Sequence, residues 1–174
     1  MRIETERLII RDLEQSDEKA FVEMASDGSM NDVGFDPDCG EWMAGWIVEA
    51  QDLEKKDDPR IEYLAYVMEE KETGKTVGTV GSSYYEDLKK VGITFGVGAA
   101  YRCKGYATEA AKAYAGYFLE HYDETEMIAT IREDNIPSWK VVEKVGFTLT
   151  ETRMYQDITD DAEKLTRFYS LKKN

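Results

Sequence analysis

The stretch from Val91 to Ile131 restricts the fold more than any other part of the chain. Val91–Val97 has the apolar and β-branched content of a strand, with Gly96 inside it. A glycine-containing loop, Gly98 to Gly105, leads into an Ala- and Tyr-rich helix from about Ala107 to His121, and Met127–Ile131 reads as a buried strand. A strand that returns through a helix to a second strand makes a crossover connection, so the sheet contains a βαβ unit. Earlier in the chain, strands at Ile61–Met68 and Thr76–Ser83 flank the turn Glu72-Thr73-Gly74-Lys75 and form a hairpin. Leu8–Ile10, Phe147–Arg153 and Leu165–Leu171 complete the strands. Ser16 is placed to cap a helix that carries Phe21, Val22 and Met24 and fades at Asp27-Gly28. A second helix runs from about Glu41 to Lys55, and a short one near Pro137 stops at Gly146. The order βααβββαβαββ, without a linker, gives one α/β (α+β) domain over 1–174: a mixed sheet with helices on both faces.

Charge narrows the partners. Twenty-two basic against 36 acidic residues leave a net −14, which repels nucleic-acid backbones and favours cationic or amine-bearing partners, although acidity also serves solubility alone. The two cysteines, Cys39 and Cys103, are far apart and suit a reducing compartment. A sole histidine, His121, excludes a His-rich zinc site, and no metal is expected. The opening segment is too charged for a signal peptide, and no apolar run approaches the roughly 20 residues of a membrane span. A cytoplasmic protein with no membrane partner is expected.

The loop Gly98–Thr108 carries the clearest chemistry. The first N–H groups of a helix lack internal partners and sit at the positive end of its dipole, a setting suited to anions. Gly105 and Ala107 are small enough for close approach, and Arg102 and Lys104 reverse the local charge. The spacing matches neither a Walker loop nor GxGxxG.

Arg102-x-x-Gly105-x-Ala107, continued by Thr108-Glu109-Ala110, resembles the acyl-CoA pyrophosphate loop of the GCN5-related N-acetyltransferases (GNAT). The block Asn135-Ile136-Pro137-Ser138, ending at Lys144-Val145-Gly146-Phe147, resembles the later cofactor motif of that superfamily. Thr5-Glu6-Arg7-Leu8-Ile9-Ile10-Arg11 and Glu72–Lys75 are similar to its ribosomal-protein N-terminal acetyltransferase (RimJ/RimL-like) branch. The resemblance implies a mostly antiparallel sheet of six to seven strands with a central splay. It implies acetyl-CoA (coenzyme A) as cofactor, its pantetheine arm along Phe95 to Val97. The pyrophosphate would then meet Arg102, Cys103, Lys104, Gly105, Tyr106, Ala107 and Thr108. Asn135 would reach the pantetheine arm, and Ser138 would protonate the leaving thiolate as well as lie against the cofactor. Gly96 stands near where relatives often carry a bulky aromatic, which suits a bulge or close backbone approach and implies a wider pocket.

A lysine-type amine is neutral only about once in 10³ at pH 7, whereas an α-amine is neutral roughly 10–20% of the time, so the need for a base depends on the acceptor. The strand before the loop offers no carboxylate; Glu86 and Asp87 precede it, and Glu109 reads as structural. The base stays unassigned, with a water chain as the working expectation. Cys103 reads as a loop residue rather than a nucleophile. The leading acceptor is a protein or peptide N-terminus. A polyamine, an aminoglycoside, an amino acid, or a catalytically silent acyl-CoA-binding role stand as alternatives. Trp42 and Trp46 read as helix packing that could instead line an acceptor pocket. Tyr155 and Phe168, taken as exposed, would support a homodimer.

Overall fold

The computed structural model describes residues 1–173. Eight strands form one sheet: β1 (Arg2–Glu4), β2 (Leu8–Arg11), β3 (Tyr63–Glu70), β4 (Lys75–Tyr85), β5 (Lys90–Val97), β6 (Glu126–Arg132), β7 (Thr148–Tyr155) and β8 (Lys164–Lys172). Their spatial order is β1-β2-β3-β4-β5-β6-β8-β7. The helices are α1 (Glu18–Ala25), α2 (Met43–Lys56), α3 (Tyr106–His121) and α4 (Ile136–Val145). β1 is additional to the strands expected; it is three residues long, paired through Ile3↔Ile10, and too short to leave a periodic signal.

Alternation along β3 divides the chain between two faces. Leu64, Tyr66 and Met68 join the core under α3, while Tyr63, Ala65 and Val67 join the one under α1 and α2. Ala110, Ala111 and Ala115 of α3 are buried around Tyr114 and Phe118, so small side chains bring that helix close to the sheet. The start of α1 is fixed by Asp17 rather than by Ser16. Asp17 Oδ2 accepts the Glu14 N–H at 2.8 Å, both its oxygens take Arg11 at 2.9 Å, and Thr76 donates to it at 3.0 Å. The Ser16 hydroxyl turns to Glu14 instead.

Neighbouring strands are antiparallel except β5 and β6, which run parallel and meet at one register pair, Gly92↔Ile128. Beyond that pair the two strands diverge, and the sheet opens. On its other side β5 follows β4 without interruption from Tyr85↔Lys90 to Gly78↔Val97, so Gly96 marks no bulge. A Cβ on Gly96 would lie 2.8 Å from Val33 Cγ2 and 3.3 Å from Met30 Cε. The glycine therefore admits the α1–α2 loop, and Val33 fills the room that a wider pocket would have needed.

The expectation of exposed aromatics near the C-terminus is corrected. Tyr155 and Phe168 are buried together with Tyr85 and Ile128, their rings edge-to-face at 5.1 Å under the Arg153 guanidinium. They alternate inward from β7 and β8. No helix among the described residues is long and apolar enough to cross a membrane.

Candidate active site

At the end of β5 the chain enters α3 through Gly105, whose φ of +85° is left-handed backbone that glycine adopts without steric cost. The first intrahelical bond here is Glu109 N–H to Gly105 O, 3.1 Å. The N–H groups of Tyr106, Ala107 and Thr108 therefore point out of the helix start, along the positive dipole end. The β1–β2 turn holds this geometry. Glu109 accepts from Thr5 Oγ1 at 2.6 Å, the Arg7 N–H at 2.8 Å and Arg7 Nε at 2.7 Å. Arg7 also donates to Lys104 O at 2.6 Å and lies 4.9 Å over the Tyr106 ring, while Tyr106 donates its hydroxyl to Glu70. Burial pushes the Glu109 carboxyl up, but the Thr5 hydroxyl and the Arg7 donors outweigh it and hold its pKa below the ordinary value. Glu109 is structural, and Thr5-to-Arg7 is the clamp that shapes the loop.

Within the loop, Arg102 donates to Val97 O at 3.2 Å and to Ser29 O. Carbonyl partners orient the guanidinium without neutralising it, so its charge stays available to an anion. The Lys104 ammonium lies 5.5 Å from the Tyr101 ring centroid. Cys103 is exposed, at φ +61°. The Val97 side chain is in the core and its carbonyl is taken by Arg102, so Val97 frames the loop.

The diverging strands bound a cleft of about 280 Å³. Phe95 of β5, Asn135 just before α4 and Ser138 of α4 line it together, whereas Arg102–Thr108 and Val97 lie outside its lining. Asn135 begins α4: its Oδ1 accepts the Ser138 N–H at 3.4 Å, and its Nδ2 donates to Asp32 Oδ2 at 3.2 Å. Trp46 both packs against Phe35 at 4.9 Å and faces the cleft; Trp42 only packs, tilted against Phe35.

The cleft also contains a carboxylate that the sequence reading did not single out. Asp157, on the β7–β8 loop, accepts the Ile158 N–H at 2.7 Å and the Tyr85 hydroxyl at 3.1 Å, both on Oδ1. A phenol has one hydrogen, so Tyr85 accepts from Thr130 at 2.8 Å and passes the chain on to Asp157. Burial raises the Asp157 pKa, and the nearby Thr130 hydroxyl, the Ile158 N–H and the Tyr85 hydroxyl only partly offset it. Burial and the Asp157 charge push the Tyr85 phenol well up. Asp160, whose side chain is 3% exposed, ties the same loop to Lys164 at 3.0 Å and Arg132 at 3.6 Å. Glu86 and Asp87 lie elsewhere, along an open groove, where Asp87 accepts from Tyr155 at 3.2 Å. A signal for Asp157 existed in the acidic loop after β7, but nothing local distinguishes it from Asp160 and Asp161.

A helix N-terminus with outward N–H groups, beside strands that part, suits an anion carrying an amide arm. The family description "acetyltransferase (GNAT) domain" matches residues 7–148. The chain belongs to the GNAT acetyltransferase family, whose acetyl donor is acetyl-CoA. The N-acetyltransferase YnaD of Bacillus subtilis (strain 168), itself uncharacterised, is 29% identical over 152 residues, covering 84% of this chain and 82% of its own. Two solved structures share the fold. RimL, a ribosomal-protein α-N-acetyltransferase in complex with coenzyme A, superposes with a TM-score of 0.80 at 14% identity, covering 99% of this chain and 98% of its own. A ribosomal-protein alanine acetyltransferase from Vibrio fischeri has a TM-score of 0.77 at 18% identity, with 99% and 96% covered.

Proposed function

We propose that this acetyltransferase acts on a primary amine, the α-amine of a protein or peptide N-terminus, with Asp157 as general base and Ser138 as general acid. The observation that carries the reading is Asp157 itself, a carboxylate inside the cleft that also holds Ser138. Its raised pKa suits it to take a proton from an ammonium, since a base works best when its pKa approaches that of the medium. An acceptor that is a chain end needs an exit. The cleft shares Tyr63, Ser83, Tyr85 and Ile158 with an open groove bordered by Glu62, Glu86 and Asp87, which gives a cationic peptide room to leave. The likeness to RimL supports the same acceptor class.

Acetyl-CoA supplies an acyl group activated as a thioester. The outward N–H groups of Tyr106–Thr108 and the Arg102 charge would hold its pyrophosphate, with Cys103, Lys104 and Gly105 shaping that cradle. The open edge of Phe95–Val97, apart from the Val97 carbonyl held by Arg102, would pair with the pantetheine amides, and Asn135 would donate to them. Asp157 takes a proton from the acceptor ammonium; the freed amine attacks the acyl carbon directly. As the carbon–sulfur bond breaks, the Ser138 hydroxyl would give its proton to sulfur and regain one from the attacking nitrogen, which sheds its second proton as the amide forms. No covalent enzyme intermediate is needed, and Cys103 does not line the cleft.

The test follows thiol release from acetyl-CoA with peptides of different N-termini, the same peptides with a blocked α-amine, spermine, an aminoglycoside and free amino acids. Turnover confined to peptides with a free α-amine supports the reading. Turnover with spermine or the aminoglycoside alone moves the acceptor to small polycations and overturns the N-terminal part.

A further inference from the structure

Between α1 and α2 the chain makes a short strap, 29–33, bounded by Gly28 and Gly34, both with left-handed backbone (φ +75° and +86°). It meets the donor side of the site at three points. Ser29 O accepts from Arg102, Val33 covers the backbone of Gly96, and Asp32 reaches α4. Asp32 is held on one oxygen by Arg132 at 2.8 Å and presents the other to Asn135 Nδ2 at 3.2 Å.

That last contact has a directional consequence. The two ends of a carboxamide have nearly the same shape, and a half-turn exchanges them. A carboxylate can only accept. With Asp32 on one side, the NH2 end of Asn135 has to face it, and Oδ1 has to face the Ser138 N–H, as observed at 3.4 Å. One hydrogen of Nδ2 is used by Asp32, and the second is left to donate.

We propose that Asp32 is a positioning residue for acetyl-CoA: it locks the Asn135 carboxamide so that an N–H is presented to the bound donor. Because the strap also lines the acceptor cleft, Asp32 links the two halves of the site. The proposal rests on the reading above in which Asn135 donates to the pantetheine arm.

Calorimetric Kd values for acetyl-CoA, measured without acceptor, test it on the wild type, Asn135→Ala, Asp32→Ala, Asp32→Asn and the double variant Asp32→Ala/Asn135→Ala. Each single alanine variant is expected to weaken binding about fivefold, the range of one hydrogen bond, and the double variant to bind no more weakly than Asn135→Ala alone. Asp32→Asn, which keeps an acceptor oxygen for Nδ2, binds more tightly than Asp32→Ala. A merely structural strap would give losses that multiply in the double variant, and that result overturns the proposal. So does an Asp32→Ala protein that binds like wild type while Asn135→Ala is weakened. If Asn135→Ala itself binds like wild type, the donor contact assigned to Asn135 is wrong and the role of Asp32 falls with it. Melting temperatures confirm that each variant compared is folded, and Asp32→Asn keeps the comparison open if Asp32→Ala is not.

Discussion

The two halves of the site are built in opposite ways. The proposed donor half would rely mainly on main-chain N–H groups from consecutive residues at the start of α3, which one clamp fixes, Glu109 with Thr5 and Arg7. The proposed acceptor half is a cleft lined by side chains from separate segments: Tyr63 and Tyr85 from neighbouring strands, Trp46 from α2, Asp32 and Asp157 from two loops. Main-chain recognition needs only a backbone shape, which a short run of residues can specify. A side-chain pocket needs the whole topology to bring its parts together. The donor half should therefore respond to changes in shape, and the acceptor half to changes in chemistry.

The sharpest separation comes from Asp157→Asn, which keeps shape and removes the base. Its kcat/KM is expected to fall by about 10²-fold or more, with the acetyl-CoA Kd unchanged; an equal loss in Kd would merge the two halves. In the wild type, kcat/KM should decline with falling pH at a value raised from that of an ordinary aspartate, because burial raises the Asp157 pKa. The sign for stability is opposite to that of a paired carboxylate. A folded pKa raised above 3.8 favours the fold at low pH, and this contribution is lost as pH rises through the folded value. Asp157→Asn should thus melt no lower than wild type at pH 7.

On the donor side, Glu109→Ala removes the clamp and is expected to cost about 2 kcal/mol of stability, read by urea unfolding, together with weaker acetyl-CoA binding. Glu109 titrates below its ordinary value, so its contribution is present above 4.5 and fades as pH falls through the folded pKa. Gly105→Ala tests shape alone. An L-residue at φ +85° costs about 1–2 kcal/mol, and the added Cβ lies 3.2 Å from Arg7. A Kd about tenfold weaker, with kcat at saturation nearly unchanged, is the expected result. The smallest effect is that of Ser138→Ala. A thiolate leaves readily, so loss of its proton donor should lower kcat about fivefold and leave the Kd within twofold. A large Kd change would return Ser138 to binding alone.

The same division governs what could be read from the sequence. The crossover, the loop at Arg102–Thr108 and the pairing of Asn135 with Ser138 were legible because each depends on near neighbours in the chain. The Gly146 helix stop was legible for the same reason; it has φ +114°. Asp157 was not legible. Its altered pKa comes from folding the β7–β8 loop against Tyr85, more than 70 residues earlier. Gly96 misled in a related way, since an absent side chain does not reveal that Val33 will occupy the space. Tyr155 and Phe168 misled because they stand near the end of the chain among polar and charged residues, while strand alternation turns them to the inside.

The lone register pair between β5 and β6 has a consequence for how the protein comes apart. With almost no backbone ladder across that seam, side-chain packing under α3 is what joins the plate β1–β5 to the plate β6–β8–β7, and the two are expected to open on separate schedules. Their amides should then exchange with deuterium as two sets. A donor held in the seam as proposed would bond to both plates and act as a rivet, so adding acetyl-CoA should slow both sets together and merge them toward a single cooperative unit.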